Sequence, residues 1–233
     1  MSDSLKVLSF DLDDTLWPVK PVLIGAEKRV NQFLEEHCPE VLKRFDQDAI
    51  MQRRIELYKQ RPDLHHQISQ FRIEAVYLLI RDAGYSEQDA RRLTKLAFEL
   101  FIEARHDVTL YEGVEETLVT LKERFQLVAL TNGNADVMRL AISHLFDFGI
   151  KAEDINSSKP AAAHFELALQ RAGIDAHEML HVGDNPEHDV LGAQQLGIPC
   201  VWINAKGEPW PHDQEPDLIL RSVNELPDAI KTL

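Results

Sequence analysis

Residues 7–16 read VLSFDLDDTL, and this segment decides how the rest of the chain is interpreted. Its first four residues are mostly apolar and stop abruptly at an acidic group, which is typical of a short buried strand that ends in a turn. A run this short is ambiguous on its own, so the pattern of the following segments must decide the fold.

Strand-like and helix-like segments alternate from about residue 108 onward. After the first strand, we predict strands at residues 127–130, 154–156, 179–182, 200–203 and 218–220. Helices are expected between them, including one over residues 135–145 and one that begins at Pro160, because proline suits a first helical turn. Such alternation predicts an α/β fold with a doubly wound, Rossmann-like parallel sheet and right-handed crossovers.

The region between the first and second strands has only helical periodicity. Apolar residues recur at helical spacing in three sets, which begin at Leu23, Phe71 and Ala90. Ser86 and Asp89 resemble a capping box at the start of the third set. We therefore predict an α/β core made of residues 1–18 and 108–233, with an all-α domain inserted at residues 19–107.

Composition limits the classes of partner. The 233 residues include 25 Lys plus Arg and 39 Asp plus Glu, so the formal net charge is −14. A chain this acidic repels the phosphates of nucleic acid and of anionic lipid, so neither is an expected partner. Two cysteines and no long apolar run suit a reducing cytoplasm. We expect a cytoplasmic protein that acts on a small molecule, as a monomer or small homo-oligomer.

Four polar segments lie at or near the carboxyl ends of the first four predicted strands. In an open α/β sheet, ligands bind outside these strand ends. The segments are residues 11–15, 131–133, 157–160 and 183–189, and they supply carboxylates, a hydroxyl, backbone amides and one lysine. Clustered carboxylates repel one another unless a cation such as Mg²⁺ binds them. Together the segments predict a magnesium-dependent site for phosphoryl transfer.

These segments resemble the four signature motifs of the haloacid dehalogenase superfamily, in the same order and along essentially the whole chain. The matching residues are Asp11-Leu-Asp-Asp-Thr-Leu16, Thr131, Lys159-Pro160 and Gly183-Asp184 with Asp189. The helical insertion looks like the α-helical C1-type cap of that superfamily.

The resemblance implies a role for each matched residue. Asp11 would be the nucleophile that forms an aspartyl-phosphate, and Asp13 the general acid and base. Mg²⁺ would be held by Asp11, Asp184 and the main-chain carbonyl of Asp13, with Asp189 acting behind them. Phosphate binding would fall to Thr131, Asn132, Gly133 and Lys159, and Lys159 would also act in catalysis by neutralising charge.

Asp13 favours a phosphatase within this superfamily. A phosphate ester releases an alkoxide that benefits from an acid, whereas a halide leaving group needs no proton. A phosphomutase shares the motifs and stays open, and a 2-haloacid dehalogenase is the other alternative. The sequence is similar to a bacterial branch that acts on flavin mononucleotide and on a phosphorylated riboflavin-pathway intermediate.

Two further residues are candidates for substrate contact. Trp17 follows the first motif, and Arg72 lies beside an aromatic residue in the helical insertion. Asp14, by contrast, is interpreted as a turn-capping or solvated carboxylate, and His181 as a hydrogen-bonded histidine of the core.

Overall fold

The computed structural model describes residues 4–233, so the first three residues of the predicted segment 1–18 lie outside the described residues. The chain forms two compact units. One comprises the described residues up to Val19 together with Val108–Leu233, and the other comprises Lys20–Asp107.

A six-stranded parallel sheet forms the centre of the first unit, which confirms the predicted fold class. Its spatial order is β3-β2-β1-β4-β5-β6. The strands are β1 (Val7–Phe10), β2 (Gln126–Thr131), β3 (Phe148–Lys151), β4 (Met179–Gly183), β5 (Cys200–Ile203) and β6 (Leu218–Leu220). Every β1 residue is buried, as expected for a strand covered on both faces.

The position of β1 determines where the site forms. It pairs with β2 on one side and with β4 on the other, with Val7 opposite both Gln126 and Met179. The chain fills one half of the sheet through β3 and then crosses to the other half at β4. The carboxyl end of β1 therefore lies at a topological switch point, where open α/β sheets bind ligands.

Helices of this unit connect the strands. They are α6 (Val114–Lys122), α7 (Ala152–Ile155), α8 (Ala163–Ala172), α9 (Gly192–Gln194) and α10 (Leu226–Ala229). A π-helical turn, Pro186–Leu191, leads into α9. Gly113 precedes α6 with φ of +78°, a conformation that favours glycine.

The predicted third strand at residues 154–156 is wrong. The structure places β3 at Phe148–Lys151, and the residues predicted as strand belong to α7 and its C-terminal cap. β3 lies at the sheet edge, and only Ile150 of its four residues is buried. Gly149 packs so closely that an added Cβ would lie 3.0 Å from Val137 Cγ1. One glycine and one buried residue give too little hydrophobic pattern to mark a strand.

Two of the predicted helices also differ. Residues 135–145 form two 3₁₀ turns, Val137–Arg139 and Ala141–Leu145, because the Asp136 carboxylate binds the Met138 N–H and Leu140 is extended. The helix predicted from Pro160 begins at Ala163.

The second unit is helical, and none of residues 20–107, all of which the structure describes, lies in a strand. Its helices are α1 (Val19–His37, whose first residue belongs to the first unit), α2 (Pro39–Arg44), α3 (Gln47–Gln60), α4 (Ile68–Asp82) and α5 (Glu87–Arg105). The predicted cap of α5 is present, since Ser86 Oγ accepts a hydrogen bond from the Asp89 N–H. The apolar stripes pack into one core, which includes Ala26, Val30, Leu79, Ile80, Leu93, Ala97 and Phe101.

Within the described residues, 4–233, no helix combines the length and apolarity needed to cross a bilayer.

Candidate active site

Asp11 is the first residue after β1 and continues the sheet by one hydrogen bond, from its N–H to the Val182 carbonyl at 2.9 Å. Its side chain is only 12% exposed. Oδ1 accepts a hydrogen bond from Lys159 Nζ at 2.8 Å. The strand end thus presents a nearly buried carboxylate whose direction is set by the sheet.

Lys159 connects the end of β2 to the segments that follow β1 and β4. Its ammonium donates to Asp11 Oδ1 at 2.8 Å, to the Leu130 carbonyl at 2.6 Å and to Asp189 Oδ1 at 2.6 Å. Burial by itself would lower the pKa of Lys159, but the two carboxylates outweigh this and raise the pKa above its usual value. The buried lysine therefore stays charged, with all three donors satisfied.

Asn132 fixes the backbone of Lys159. Its amide nitrogen donates to the Lys159 carbonyl at 2.9 Å, and its Oδ1 accepts the Lys159 N–H at 2.7 Å. Because the N–H and the carbonyl of Lys159 both bind the Asn132 side chain, the segment that precedes α8 is held at the carboxyl end of β2. Thr131 Oγ1 accepts the Gly133 N–H at 3.0 Å and keeps its own hydroxyl proton to donate.

Asp189 lies behind Lys159 and is almost fully buried. His181 Nε2 is 3.3 Å from Asp189 Oδ1, and His181 Nδ1 is 2.9 Å from Ser9 Oγ. Since a carboxylate only accepts, Nε2 carries the proton and Nδ1 accepts from the hydroxyl. This arrangement confirms the interpretation of His181 as a hydrogen-bonded core histidine, whose pKa is lowered by burial.

Gly183, the last residue of β4, leaves the space that Asp189 occupies. A Cβ at this position would lie 2.3 Å from Asp189 Cγ. Asp189 Oδ2 in turn accepts the Asn185 N–H at 3.0 Å. The glycine of the fourth motif is thus required for close packing of its last aspartate.

The carboxyl groups carry opposite pKa shifts. Burial raises the pKa of Asp11 well above its usual range, although the positive charge of Lys159 acts to lower it. Burial also raises the pKa of Asp184 to about 7, and repulsion from Asp189 and Asp14 adds to this effect. Burial also opposes ionisation of Asp189, but Lys159 and His181 outweigh it and hold this pKa far below normal.

These groups fit a hard divalent cation. Asp11, Asp184 and Asp189 each offer one oxygen, and the three oxygens lie within 4.8 Å of one another. The raised pKa values of Asp11 and Asp184 show that burial disfavours the ionised form of both carboxyl groups. A cation with a preference for oxygen ligands removes that cost.

Asp13 and Asp14 lie in the loop after Asp11 and point to different partners. Asp13 Oδ1 accepts a hydrogen bond from the Trp17 indole nitrogen at 3.0 Å. Asp14 has φ of +60° and its Oδ1 accepts the Val19 N–H at 2.9 Å. The interpretation of Asp14 as a turn-capping carboxylate is confirmed.

The two candidates for substrate contact are both largely buried. Trp17 is 0% exposed, so its indole offers no surface to a substrate. Arg72 lies in the helical unit, where its guanidinium pairs with Glu27 and lies 3.7 Å from the centre of the Phe101 ring. Burial lowers the pKa of Arg72, and the charge of Glu27 opposes the effect.

Several residues that shape the site carried no signal in the sequence. Ser9 lies inside β1, and Trp202 lies inside β5, where its indole nitrogen donates to the Asp184 carbonyl at 2.8 Å. Neighbouring strand residues point to opposite faces, but a strand buried on both faces hides which polar groups face the site. Asn185, whose Oδ1 accepts the N–H groups of Glu187 and His188, was detectable as an N-cap residue.

Residues 5–197 match the haloacid dehalogenase-like hydrolase family. The chain belongs to this family. It is 30% identical over 199 residues to the 5-amino-6-(5-phospho-D-ribitylamino)uracil phosphatase YigB of Escherichia coli (strain K12), covering 85% of this chain and 83% of that protein. The resemblance stated from the motifs is therefore confirmed.

Other similar proteins are named for different activities. The chain is 28% identical to a glyceraldehyde 3-phosphate phosphatase of Methanopyrus kandleri, over 98% of each protein. A crystal structure described as a 2-haloacid dehalogenase from Pseudomonas syringae pv. Tomato is 37% identical, with a TM-score of 0.93 and coverage of 98% of this chain and 99% of that one. The family makes the chain a hydrolase, and relatives named as phosphatases support phosphoric ester chemistry.

Metal binding should stabilise the protein more at pH 8 than at pH 6. In the metal-free fold, Asp184 keeps its proton up to about pH 7, whereas in the unfolded chain the same carboxyl group loses its proton near pH 3.8. The stability of the metal-free fold therefore falls as the pH rises from 3.8 to about 7. Below about pH 7, protons compete with the cation for the Asp184 carboxylate. We expect MgCl₂ to raise the Tm at pH 8, with an apparent affinity at least about tenfold weaker for each pH unit below 7, because Asp184 must lose a proton before the ion binds.

The thermal shift is measured with and without MgCl₂ for the wild type, Asp184→Asn and Asp213→Asn, the last being an exposed carboxylate used as a matched control. Asp184→Asn should lose the shift and Asp213→Asn should keep it. An equal shift at both pH values, or a full shift in Asp184→Asn, would contradict this account of the site.

Proposed function

We propose that the protein is a magnesium-dependent phosphatase that hydrolyses small phosphorylated metabolites through an aspartyl-phosphate. The observation that carries this proposal is the pair of carboxylates after β1. Asp11 is nearly buried against Lys159 Nζ, and Asp13 lies two residues further with its carboxylate held by a neutral donor. A nucleophile and a separate acid are what phosphate ester cleavage requires.

Asp11 is the nucleophile in this proposal. Its Oδ1 is engaged by Lys159, so we assign Oδ2 as the oxygen that attacks phosphorus in line with the leaving oxygen. The bond from phosphorus to the leaving oxygen breaks as the bond to Asp11 forms. This splits one difficult displacement into two easier ones.

Asp13 moves the proton in both steps. In the first it donates a proton to the departing alkoxide, which leaves as the alcohol, and Asp13 becomes a carboxylate. In the second that carboxylate takes a proton from the water that attacks the aspartyl-phosphate, which restores Asp11 and releases phosphate. Acid–base groups of this kind contribute about 10²- to 10⁴-fold to the rate.

Thr131, Asn132, Gly133 and Lys159 hold the phosphoryl group in this scheme. The free hydroxyl proton of Thr131 and the positive charge of Lys159 suit the oxygens that do not react. In the present arrangement Gly133 donates to Thr131 and the Asn132 amide grips Lys159, so both also shape the loop.

Asp11, Asp184 and the main-chain carbonyl of Asp13 are the ligands that we assign to Mg²⁺, with Asp189 acting through Lys159. When bound, the ion supplies positive charge that offsets the carboxylates and the phosphate. The choice of magnesium follows its preference for carboxylate, carbonyl and phosphate oxygens.

A 2-haloacid dehalogenase is the second candidate, and the similar Pseudomonas structure described by that name favours it. In that reaction Asp11 would attack carbon and the halide would leave without a proton. Asp13 would then have no task, and neither would the metal-binding carboxylates. A phosphomutase would use the same residues and return the phosphoryl group to a hydroxyl instead of water.

A ribityl phosphate ester is the substrate that we propose. The relative from Escherichia coli is named for 5-amino-6-(5-phospho-D-ribitylamino)uracil and aligns over most of both chains. Flavin mononucleotide carries the same kind of phosphorylated ribityl chain on a heterocycle. We propose further that residues 19–107 act as the cap that recognises the leaving group, and that Arg72 takes part from within it, in a cytoplasmic enzyme.

Hydrolysis of p-nitrophenyl phosphate tests the reaction type. We expect activity with Mg²⁺, loss with EDTA, and a fall of at least about 10³-fold in Asp11→Asn, because that variant lacks the nucleophile. Asp14→Asn is the matched control in the same loop, since asparagine tolerates its φ and can still cap the Val19 N–H. Chloride release from chloroacetate without phosphatase activity would instead establish the dehalogenase.

A substrate panel tests the proposed class. The phosphoribityl uracil and flavin mononucleotide should give kcat/KM values at least about tenfold above those for glyceraldehyde 3-phosphate, sugar phosphates and nucleoside monophosphates, a difference of about 1.4 kcal/mol in transition-state binding. Phosphate release is the readout. Equal values across the panel, or a preference for glyceraldehyde 3-phosphate, would contradict the ribityl assignment.

A further inference from the structure

Trp202 contacts the main chain of a residue that we assign to the metal. Its indole Nε1–H donates to the Asp184 carbonyl at 2.8 Å, and Trp202 is 3% exposed. In the sheet Trp202 is paired with Gly183, the residue before Asp184, so β5 brings the indole to the point where β4 ends. The donor therefore comes from outside the four polar segments that the sequence marks.

The peptide group that follows Asp184 is held by both of its polar atoms. Its carbonyl accepts the Trp202 N–H, and its N–H, which belongs to Asn185, donates to Asp189 Oδ2 at 3.0 Å. Asp189 is itself fixed by Lys159, whose Nζ donates to its Oδ1 at 2.6 Å. Because a peptide group is planar, these two hydrogen bonds fix its rotation and with it the dihedral angle ψ of Asp184.

The main chain before Asp184 is also constrained. Gly183 is the last residue of β4, a strand that pairs with β1 on one side and with β5 on the other. The Asp184 carboxylate accepts a hydrogen bond from Thr15 Oγ1, but at 3.4 Å this bond is long. The direction of the carboxylate therefore depends mainly on the main chain from which it projects.

A second indole lies against the first. Trp210, in the loop between β5 and β6, packs its ring edge-on against Trp202, with ring centroids 5.1 Å apart. Its own Nε1–H donates to the Gln214 carbonyl at 3.0 Å. The two neighbouring indoles thus share an aromatic contact, but their N–H groups bind different carbonyls, and that of Trp202 belongs to the site.

We propose that Trp202 is a positioning residue that orients Asp184 for the divalent cation through the main-chain carbonyl. The proposal rests on the magnesium site of the proposed function. Without the indole N–H, the peptide group is released at one end, and Asp184 can adopt ψ values at which its carboxylate moves away from that of Asp11. All of the ligands remain, so binding of the ion is weakened and not abolished. The apparent Kd rises by the factor by which the competent conformation is depopulated.

Trp202→Phe removes the donor and keeps an aromatic ring against Trp210. We expect the Kd for Mg²⁺, measured by calorimetric titration with MgCl₂ at pH 8, to rise about 10- to 100-fold, as is typical for groups that orient metal ligands. At saturating MgCl₂, kcat for p-nitrophenyl phosphate should return to within about threefold of the wild-type value, because excess ion restores the competent conformation. Excess ion does not repair a fold that is damaged elsewhere.

Two controls separate orientation of Asp184 from a general loss of stability. Val201→Ala removes buried methyl groups at the neighbouring position of β5, where Val201 is 0% exposed, and should lower the Tm without removing the donor. Trp210→Phe removes the other indole of the pair. Both variants should keep the wild-type Kd for Mg²⁺.

The results that would overturn the proposal are distinct from those that would overturn the proposed function. A wild-type Kd for Mg²⁺ in Trp202→Phe, an equal rise of Kd in either control, or no recovery of kcat at saturating MgCl₂ would overturn the role of Trp202 alone. A wild type that binds no Mg²⁺ would overturn the magnesium site and the role of Trp202 together.

The link between the ion and the indole can also be observed in the wild type, even if Trp202→Phe does not fold. The chain has three tryptophans, so a ¹H–¹⁵N spectrum contains three indole signals, and triple-resonance spectra assign that of Trp202. We expect MgCl₂ to move this signal in the wild type and to leave it in place in Asp184→Asn. A Trp202 signal that stays unchanged in the wild type at saturating MgCl₂ would contradict the proposal.

Discussion

A single buried ammonium group holds the site together. Lys159 Nζ is bonded to Asp11, Asp189 and the Leu130 carbonyl, and its side chain is 1% exposed. Two carboxylates and one lysine leave an excess of negative charge, which Asp184 increases. Removing one partner of such a buried group typically costs about 3–5 kcal/mol, because the remaining charges are left without compensation. The same excess charge gives the site its capacity for a cation.

The order of strands in the sheet brings these charges together. β1 lies between β2 and β4, so the residues that follow the three strands meet although they are far apart along the chain. The supporting contacts are local: Asn132 grips the backbone of Lys159, and the missing side chain of Gly183 leaves room for Asp189. Preorganised groups of this kind need little rearrangement during the reaction.

Most strands and the four polar segments of the site could be predicted from the sequence, because polarity changes sharply where a buried strand ends. β1, β5 and β6 are bounded by sharp changes in polarity, and the structure gives them the predicted limits. The third strand was misplaced, because an edge strand with one glycine and one buried residue has little hydrophobic pattern. The helix expected over residues 135–145 failed because the Asp136 side chain binds a nearby N–H, which competes with helical hydrogen bonds. Trp17 was expected from the sequence to contact the substrate, but the turn that follows Asp13 folds its indole back onto that carboxylate and buries it.

In the proposed reaction, every later step requires Asp11 to act as a nucleophile toward phosphorus. The most direct measurement is mass spectrometry of the peptide that contains Asp11, after acid quenching during turnover of p-nitrophenyl phosphate. We predict one added phosphoryl group on Asp11, increased in Asp13→Asn, where hydrolysis of the intermediate lacks its base. Turnover without any phosphorylated Asp11 in either protein, or a phosphoryl group on another residue, would contradict the account.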